Sequence, residues 1–314
     1  MTGAGVSLRV AYQGVPGAYS EECAATLFPD AAYAGERTFA AVFAALEGGT
    51  VGAAVVPVEN STAGAVSDVY DLLLGHESVV VVGEAVLQVR HCLLGPPGAR
   101  LEDVREARSH PQALAQSEAF LRARGIEARE AYDTAGAARE VRDLNDPRIA
   151  AVASRRAAEQ LGLDVLAKDI QTVSDNSTRF FVLARRDDPG VAAAMAPAHR
   201  DGPPKTSLVF ASDDKPGALV RALQPFATAG VNLAKIESRP SRDRPWTYVF
   251  YLDIHGDVAE SPAREAFALL RTCCSWVRVL GTYPMAAPAP PAPPRPASGP
   301  RKAVTSPARN SPAA

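Results

Sequence analysis

The stretch richest in usable chemistry is Asp175-Asn176-Ser177-Thr178-Arg179-Phe180-Phe181. Amide and hydroxyl side chains run into an arginine and then into the apolar run Phe180 to Ala184, the pattern of a loop feeding a buried strand. A hydroxyl beside a permanent cation suits the departure of a hydroxyl group from an anionic substrate. The same residues also read as a Ser/Thr-rich turn before an ordinary core strand. Further polar clusters have comparable double readings. Gly14-Val15-Pro16-Gly17-Ala18-Tyr19-Ser20 can offer backbone N–H groups and a helix dipole to an anion, or form a plain turn. Glu59-Asn60-Ser61-Thr62 can orient a substrate hydroxyl, with Ser61 or Thr62 equally able to cap a helix. Ser109-His110-Pro111-Gln112 and Asp133-Thr134 are two more such junctions. His110 reads as an acid–base group or, more simply, as a capping residue before proline.

These clusters need elements to hold them, and the hydrophobic pattern supplies them. Leu8 to Tyr12, Val51 to Val58, Val79 to Val89 (continued by His91 to Leu94), Glu127 to Tyr132 and Ile149 to Ala153 read as strands. Glu21 to Leu27, Thr38 to Leu46, Val66 to Leu74, Pro111 to Leu121, Ala135 to Val141 and a segment from Ser154 to Leu161 read as helices. Alternation in two blocks predicts an α/β unit of two lobes with a cleft between them, and every polar cluster falls at the same end of an inferred strand. That distribution predicts a polar cleft able to accept an anion.

Residues 187–204 have linker composition. Beyond them, Thr206 to Ala211, Gly217 to Phe226, Val231 to Ile236, Trp246 to Ile254, Ala263 to Arg271 and Trp276 to Gly281 follow the order βαββαβ of a ferredoxin-like domain. From Met285 the chain is Pro-, Ala- and Ser-rich without periodicity, which predicts a disordered tail over 285–314.

A net charge of −2 and the lack of a basic stripe argue against nucleic acid and anionic membrane surfaces. The glycine turn has neither G-x-G-x-x-G spacing nor a phosphate-loop lysine, which argues against a nucleotide. Cys23, Cys92, Cys273 and Cys274 lack zinc-site spacing and read as reduced core thiols, and no metal-ligand cluster emerges. Met1 to Val10 has no long apolar stretch, and the expected location is cytoplasmic.

The ordered set Gly14-x-x-Gly17-x-Tyr19-Ser20, Pro57-Val58-Glu59-Asn60-Ser61, Asp68 to Leu73, Ser109-His110-Pro111-Gln112-Ala113 and Asn176-Ser177-Thr178-Arg179-Phe180 resembles prephenate dehydratase. Lys215-Pro216-Gly217-Ala218-Leu219 and Ile236-Glu237-Ser238-Arg239-Pro240 resemble the phenylalanine-binding ACT domain that such enzymes carry. The resemblance covers about Arg9 to Pro284. It implies a two-lobed catalytic unit similar to periplasmic binding proteins over 8–186, with lobes of about 8–84 plus 174–186 and 85–173, then an ACT domain over 205–284. It implies loss of carbon dioxide and the ring hydroxyl from prephenate, with Thr178, Glu59, Asn60, Ser109 and Gln116 as catalytic positions and no metal or cofactor. Gly17, Ala18, Tyr19, Ser20, Ser61, Asp133, Thr134, Asn176, Arg179 and Phe180 would bind substrate, Asp133 standing where some members carry glutamate. Arg179 would pair with a substrate carboxylate or make a structural salt bridge, turned from Thr178 if both lie on the strand. Gly217, Ala218, Leu219, Asn232, Glu237, Ser238, Arg239 and Pro240 would bind L-phenylalanine as feedback inhibitor between subunits of a homodimer or homotetramer. With no room before Leu8 for a helical chorismate mutase domain, a monofunctional enzyme is expected. The alternatives are arogenate dehydratase and a non-catalytic sensor of an aromatic metabolite.

Overall fold

Small and β-branched residues in Ala53-Ala54-Val55-Val56 leave no polar edge, so this segment forms a strand covered on both faces. A computed structural model of the chain describes residues 8–173, 175–188, 190–241 and 247–287. In chain order the elements are β1 (Arg9–Gln13), α1 (Tyr19–Leu27), β2 (Ala32–Glu36), α2 (Phe39–Glu47), β3 (Ala53–Asn60), β4 (Gly64–Ala65), α3 (Ser67–Gly75) and β5 (Val79–Gln88). Next come β6 (Cys92–Gly95), β7 (Glu106–Ser109), α4 (Pro111–Ala123), β8 (Glu127–Glu130), α5 (Thr134–Leu144), β9 (Ile149–Ala153), α6 (Arg155–Leu161), β10 (Asp164–Ala167) and β11 (Ser177–Arg185). Then follow α7 (Gly190–Ala194), β12 (Pro204–Ala211), α8 (Ala218–Thr228), β13 (Leu233–Pro240), β14 (Tyr248–His255), α9 (Ala263–Cys273) and β15 (Trp276–Pro284).

The first lobe is a sheet in the order β2-β1-β3-β11-β5, with β4 pairing β3. The second lobe is a sheet in the order β10-β6-β9-β7-β8. The chain leaves the first sheet after Gln88 and returns to it at Ser177, so the crossing lies beyond the expected 84/85 boundary. His91 to Leu94 does not continue β5; Cys92 opens a strand of the other sheet. The two crossing segments hold each other, with Val89 N–H donating to Asn176 O at 2.8 Å and Ile170 N–H to His91 O at 3.0 Å.

The third sheet runs β13-β14-β12-β15, the order of a ferredoxin-like domain. Leu208, Phe210, Phe226, Leu252, Ile254 and Leu270 form the core between this sheet and its helices. Its other face packs on the first lobe. Val209, Val249, Tyr251, Leu280 and Tyr283 share one buried cluster with Tyr70, Leu73, Val79, Val81 and Phe181. Gly281 is the closest approach, where any Cβ would collide with the Val81 carbonyl. The segment expected as a linker is itself packed. Val191 of α7 and Met195 are buried against Phe180 and Val182, because the alanine-rich composition hides two anchors. Met285 N–H donates to Pro203 O and Ala286 N–H to Glu84 Oε1, so the first tail residues are held; the rest of the expected tail, 288–314, lies outside the described residues. Cys23 and Cys92 are buried, and burial raises both thiol pKa values. Cys273 is exposed at the end of α9, so it is not a core thiol, while Cys274 is half-buried against the core of the C-terminal domain.

The polar centre of the domain contact is Arg179. Its guanidinium lies 2.6 Å from Asp253 of β14 and 2.7 Å from Glu84 of β5, with Glu59 at 3.6 Å. Lys205 meets the other Glu84 oxygen at 2.7 Å, and Ser207 donates to Asp253 Oδ1 at 2.5 Å. Burial works against the Arg179 charge, but Asp253, Tyr283 and Glu84 outweigh it and push its pKa up. Removing one partner strands a buried charge. We expect Asp253→Ala to lower the unfolding free energy by about 3–5 kcal/mol, read from urea denaturation; a change below about 1 kcal/mol would show that the cluster is not load-carrying.

Candidate active site

Strand alternation sorts β11 into two faces. Thr178 and Phe180 face a cavity of about 210 Å³ between the lobes, while Arg179 and Phe181 face the C-terminal domain. From the first lobe the cavity is lined by Tyr19, Ser20, Pro57 and Asn60, and from the second by His110, Gln112, Ala113, Gln116, Asp133 and Thr134. Val89, His91 and Asn176 of the crossing segments complete the wall.

A β-bulge decides which polar group of β3 enters. Arg179 pairs with Glu59 but Phe180 with Pro57, so Val58 is the extra residue. Strict alternation from Pro57 would aim Glu59 inward and Asn60 outward. The bulge reverses this, and Asn60 enters while Glu59 turns to Arg179 and to Lys235 Nζ at 3.1 Å.

Asn60 Oδ1 accepts from the N–H groups of Thr62 and Ala63, both at 3.0 Å, which identifies the amide oxygen. Its Nδ2 therefore donates, to Thr178 Oγ1 at 3.0 Å and to Asn176 Oδ1 at 2.9 Å. Among the described hydrogen bonds Thr178 Oγ1 accepts and does not donate, so its own proton is available to a ligand. Asn176 Nδ2 donates to Gln116 Oε1 at 2.9 Å, and Gln116 Nε2 donates to Thr62 Oγ1 at 2.9 Å. His91, 2% exposed, also meets Gln116 Oε1 through Nε2 at 2.8 Å, so that nitrogen carries a proton. Its Nδ1 lies 2.8 Å from the Tyr19 hydroxyl, whose single proton is shared between that nitrogen and Arg90 O at 2.9 Å.

Positive potential in this cavity comes from helix ends. The N-termini of α1 (Tyr19, Ser20), α4 (Gln112, Ala113) and α5 (Thr134) all meet it, and no Lys or Arg is among the described lining residues. Ala18 gives α1 no side-chain cap, leaving its first N–H groups for a ligand. His110 and Asp133 cap α4 and α5, accepting from Gln112 N–H at 3.2 Å and Gly136 N–H at 2.6 Å. Cross-lobe contacts keep the walls together. Ser154 Oγ donates to Gly17 O at 2.8 Å, and Glu21 accepts from Arg156 at 3.1 Å and Gln160 at 2.9 Å. Gly17, with φ of 93°, is so close to α6 that a Cβ would lie 2.8 Å from Ala157 Cα.

The family model described as prephenate dehydratase matches residues 10–188, and the one described as ACT domain matches residues 206–268. The chain belongs to the prephenate dehydratase family. Arogenate dehydratase/prephenate dehydratase 2, chloroplastic, of Arabidopsis thaliana is 43% identical over 293 residues, covering 90% of this chain and 74% of the relative. Among solved structures, the prephenate dehydratase of Arthrobacter aurescens in complex with L-Phe is 30% identical with a TM-score of 0.79, covering 91% of this chain and 93% of that one. A protein described as GqqA, a quorum-quenching acylase, is 36% identical with a TM-score of 0.80, covering 89% and 98%. The plant dehydratases are named as chloroplastic, which overturns the expectation of a cytoplasmic location.

Of the dehydratase positions expected from sequence, Tyr19, Ser20, Asn60, Gln116, Asp133, Thr134, Asn176, Thr178 and Phe180 converge on the cavity. Arg179 and Glu59 do not, being turned into the ACT contact by strand alternation and the bulge. Ser109 is fully buried and donates to Val152 O at 2.6 Å. Ser61 ties the loop to β11, its hydroxyl donating to Asp175 O at 3.1 Å and accepting from Ser177 N–H at 3.0 Å. Gly17 N–H is taken by the Glu21 carboxylate at 2.6 Å and Ala18 N–H by Val15 O at 3.1 Å, so neither is free for a substrate carboxylate. His91 was not foreseen; a lone histidine outside any motif carries no signal beyond its place next to the crossing.

Burial disfavours charged His91, and its pKa is lowered despite the Gln116 bond that favours the cation. The unfolded chain takes up a proton near pH 6.5 that folded His91 resists. Stability therefore falls as pH drops below about 6.5. We expect His91→Gln to flatten that part of the stability–pH curve, measured by urea titrations between about pH 7 and 5; an unchanged difference between the two proteins across that range would refute buried neutral His91.

Proposed function

We propose that the cleft takes prephenate, or its transaminated form arogenate, and expels carbon dioxide and the ring hydroxyl to give phenylpyruvate or phenylalanine. The observation that carries this reading is Thr178 Oγ1, which accepts from Asn60 at 3.0 Å and keeps its proton for a ligand. The bond from the ring to the carboxylate breaks, its electron pair enters the ring, and the carbon–oxygen bond at the opposite ring carbon breaks. Aromatisation drives both. A threonine hydroxyl is too weak an acid to surrender its proton outright, so Thr178 stabilises the departing oxygen by hydrogen bonding, and solvent completes the water molecule. The carboxylate that becomes carbon dioxide gains from the missing cation. An arginine there would hold the charge that must be lost, whereas Phe180, Val89 and Pro57 offer it no solvation. The second carboxylate is suited to the uncapped α1 N-terminus at Tyr19 and Ser20.

One observation favours arogenate as the substrate: Asp133 is the acidic side chain of the described lining, suited to an ammonium group and not to a keto group. The similarity to plant proteins named arogenate dehydratase agrees with this. For either substrate, Thr178→Val should lower kcat by about a hundredfold or more while leaving the folded state intact by circular dichroism. A Thr178→Val protein with near-parental kcat contradicts the reading.

The C-terminal domain is read as a phenylalanine sensor, in line with the solved relative that contains L-Phe. Gly217, with φ of 77°, starts α8 without a side-chain cap and leaves Ala218 and Leu219 approachable. Asn232 precedes β13, and Glu237, Ser238, Arg239 and Pro240 lie along it; among the described pairings β13 has β14 alone as neighbour. That open edge, with Ile236, Tyr248, Val220 and Leu269 exposed, suits a second copy of the chain, giving a homodimer or homotetramer with shared effector pockets. Arg239 also grips Asp71 at 3.0 Å and Ser67 at 2.9 Å on α3, a direct link from effector strand to catalytic lobe. Phenylalanine should bind and lower activity, with sedimentation showing a change of oligomer population. Equilibrium dialysis without binding refutes the sensor.

A further inference from the structure

Four side chains beside Thr178 close a ring of hydrogen bonds. Asn60 donates to Asn176 at 2.9 Å, Asn176 to Gln116 at 2.9 Å, Gln116 to Thr62 at 2.9 Å, and Thr62 Oγ1 back to Asn60 Oδ1 at 2.7 Å. All four donate in one sense. The two backbone bonds to Asn60 Oδ1 fix that sense, since every other amide orientation follows from it around the ring. Bonds linked this way polarise one another, so each strengthens the next. The ring also joins the lobes, because Asn60 and Thr62 belong to the first, Gln116 sits on α4 of the second, and Asn176 lies on a crossing segment. The ring meets the cleft through the Asn60 bond to Thr178 and through His91, whose Nε2 donates to Gln116 Oε1 at 2.8 Å.

Thr62 has a particular place in it. Its side chain is not on the substrate cavity; it borders a separate cavity of about 560 Å³ behind the ring, with Gln112, Gln116, Gln171 and Asn176. It therefore accepts from one lobe and donates to the other without reaching the substrate.

We propose that Thr62 is a positioning residue for Thr178, acting through this ring, which the approach of the two lobes completes. This rests on Thr178 being the donor to the leaving oxygen. With Gln116 in place, Thr62 Oγ1 has a donor, so its own proton goes to Asn60 Oδ1. That third donor joins the Thr62 and Ala63 N–H groups in holding Asn60, whose Nδ2 occupies a Thr178 lone pair and leaves the Thr178 proton for the ligand. Without the Thr62 hydroxyl, Gln116 loses its acceptor, Asn60 loses a donor, and Thr178 is freer to rotate about its own side chain.

The test is steady-state kinetics on full-length variants with prephenate and arogenate. Thr62→Val keeps the branched shape and should lower kcat about tenfold to a hundredfold, with KM within about twofold and the thermal midpoint within a few degrees. Thr62→Ser keeps the hydroxyl and should stay within about threefold of the parent. Combined with Gln116→Ala, Thr62→Val should lose no more than the worse single variant, since both break one ring. Parental kcat in Thr62→Val, an effect confined to KM, a Thr62→Ser protein as slow as Thr62→Val, or additive losses in the double variant each overturn the proposal. Thr178→Val measured alongside separates the failures. If it is slow while Thr62→Val is normal, only the ring role falls; if both are normal, the reading of Thr178 falls too.

Discussion

The Arg179 guanidinium lies inside the protein, and an unpaired charge there would cost several kcal/mol. Asp253, Glu84 and Glu59 supply its partners from three strands, one of them in the C-terminal domain. That requirement fixes much else. It holds the third sheet against the first lobe, where Tyr283 packs edge-on to Phe181 and Tyr251 donates to Tyr70 O at 2.7 Å. It also sets the orientation of β11. With Arg179 committed to the domain contact, the residue before it must face the other way, and that residue is Thr178. One strand thus carries a cation committed to the domain contact and a hydroxyl facing the cleft, back to back. A shift of the third sheet against Arg179 is a shift of the backbone that aims Thr178.

The cleft avoids fixed positive charge and uses helix N-termini instead. Such dipole ends orient carboxylates at a modest energy, typically a fraction of what a buried ion pair supplies. For a reaction that converts a carboxylate to neutral carbon dioxide, modest binding of that group is an advantage, because strong ground-state pairing would raise the barrier. The polar precision sits around the Thr178 hydroxyl, where Asn60, Asn176 and Gln116 are each oriented by bonds that leave little freedom.

Much of this was legible in the sequence. The alternation of apolar runs with amphipathic segments gave two lobes and the βαββαβ domain, and Asp133 and Ser154 are helix caps, each accepting from a backbone N–H three residues on. The polar junctions do gather at one cleft, because parallel strands and their following helices bring those ends together. What escaped was of another kind. The strand β2 reads Ala-Tyr-Ala-Gly-Glu, and β7 reads Glu-Ala-Arg-Ser, too short and polar to stand out. The bulge at Val58, which exchanges Glu59 for Asn60, leaves no mark in the order of residues. His91 and Thr62 acquire their roles from closure between lobes, through partners 25 and 54 positions away.

The central claim is that this cleft performs a decarboxylating dehydration, and the direct measurement is product analysis of the unmodified chain given prephenate and arogenate separately. Phenylpyruvate, phenylalanine and carbon dioxide are quantified together near neutral pH, where spontaneous acid-driven loss is slow. The account predicts one carbon dioxide for each aromatic product from at least one of the two substrates, at a rate proportional to protein concentration. Formation of neither product above the protein-free rate would contradict it.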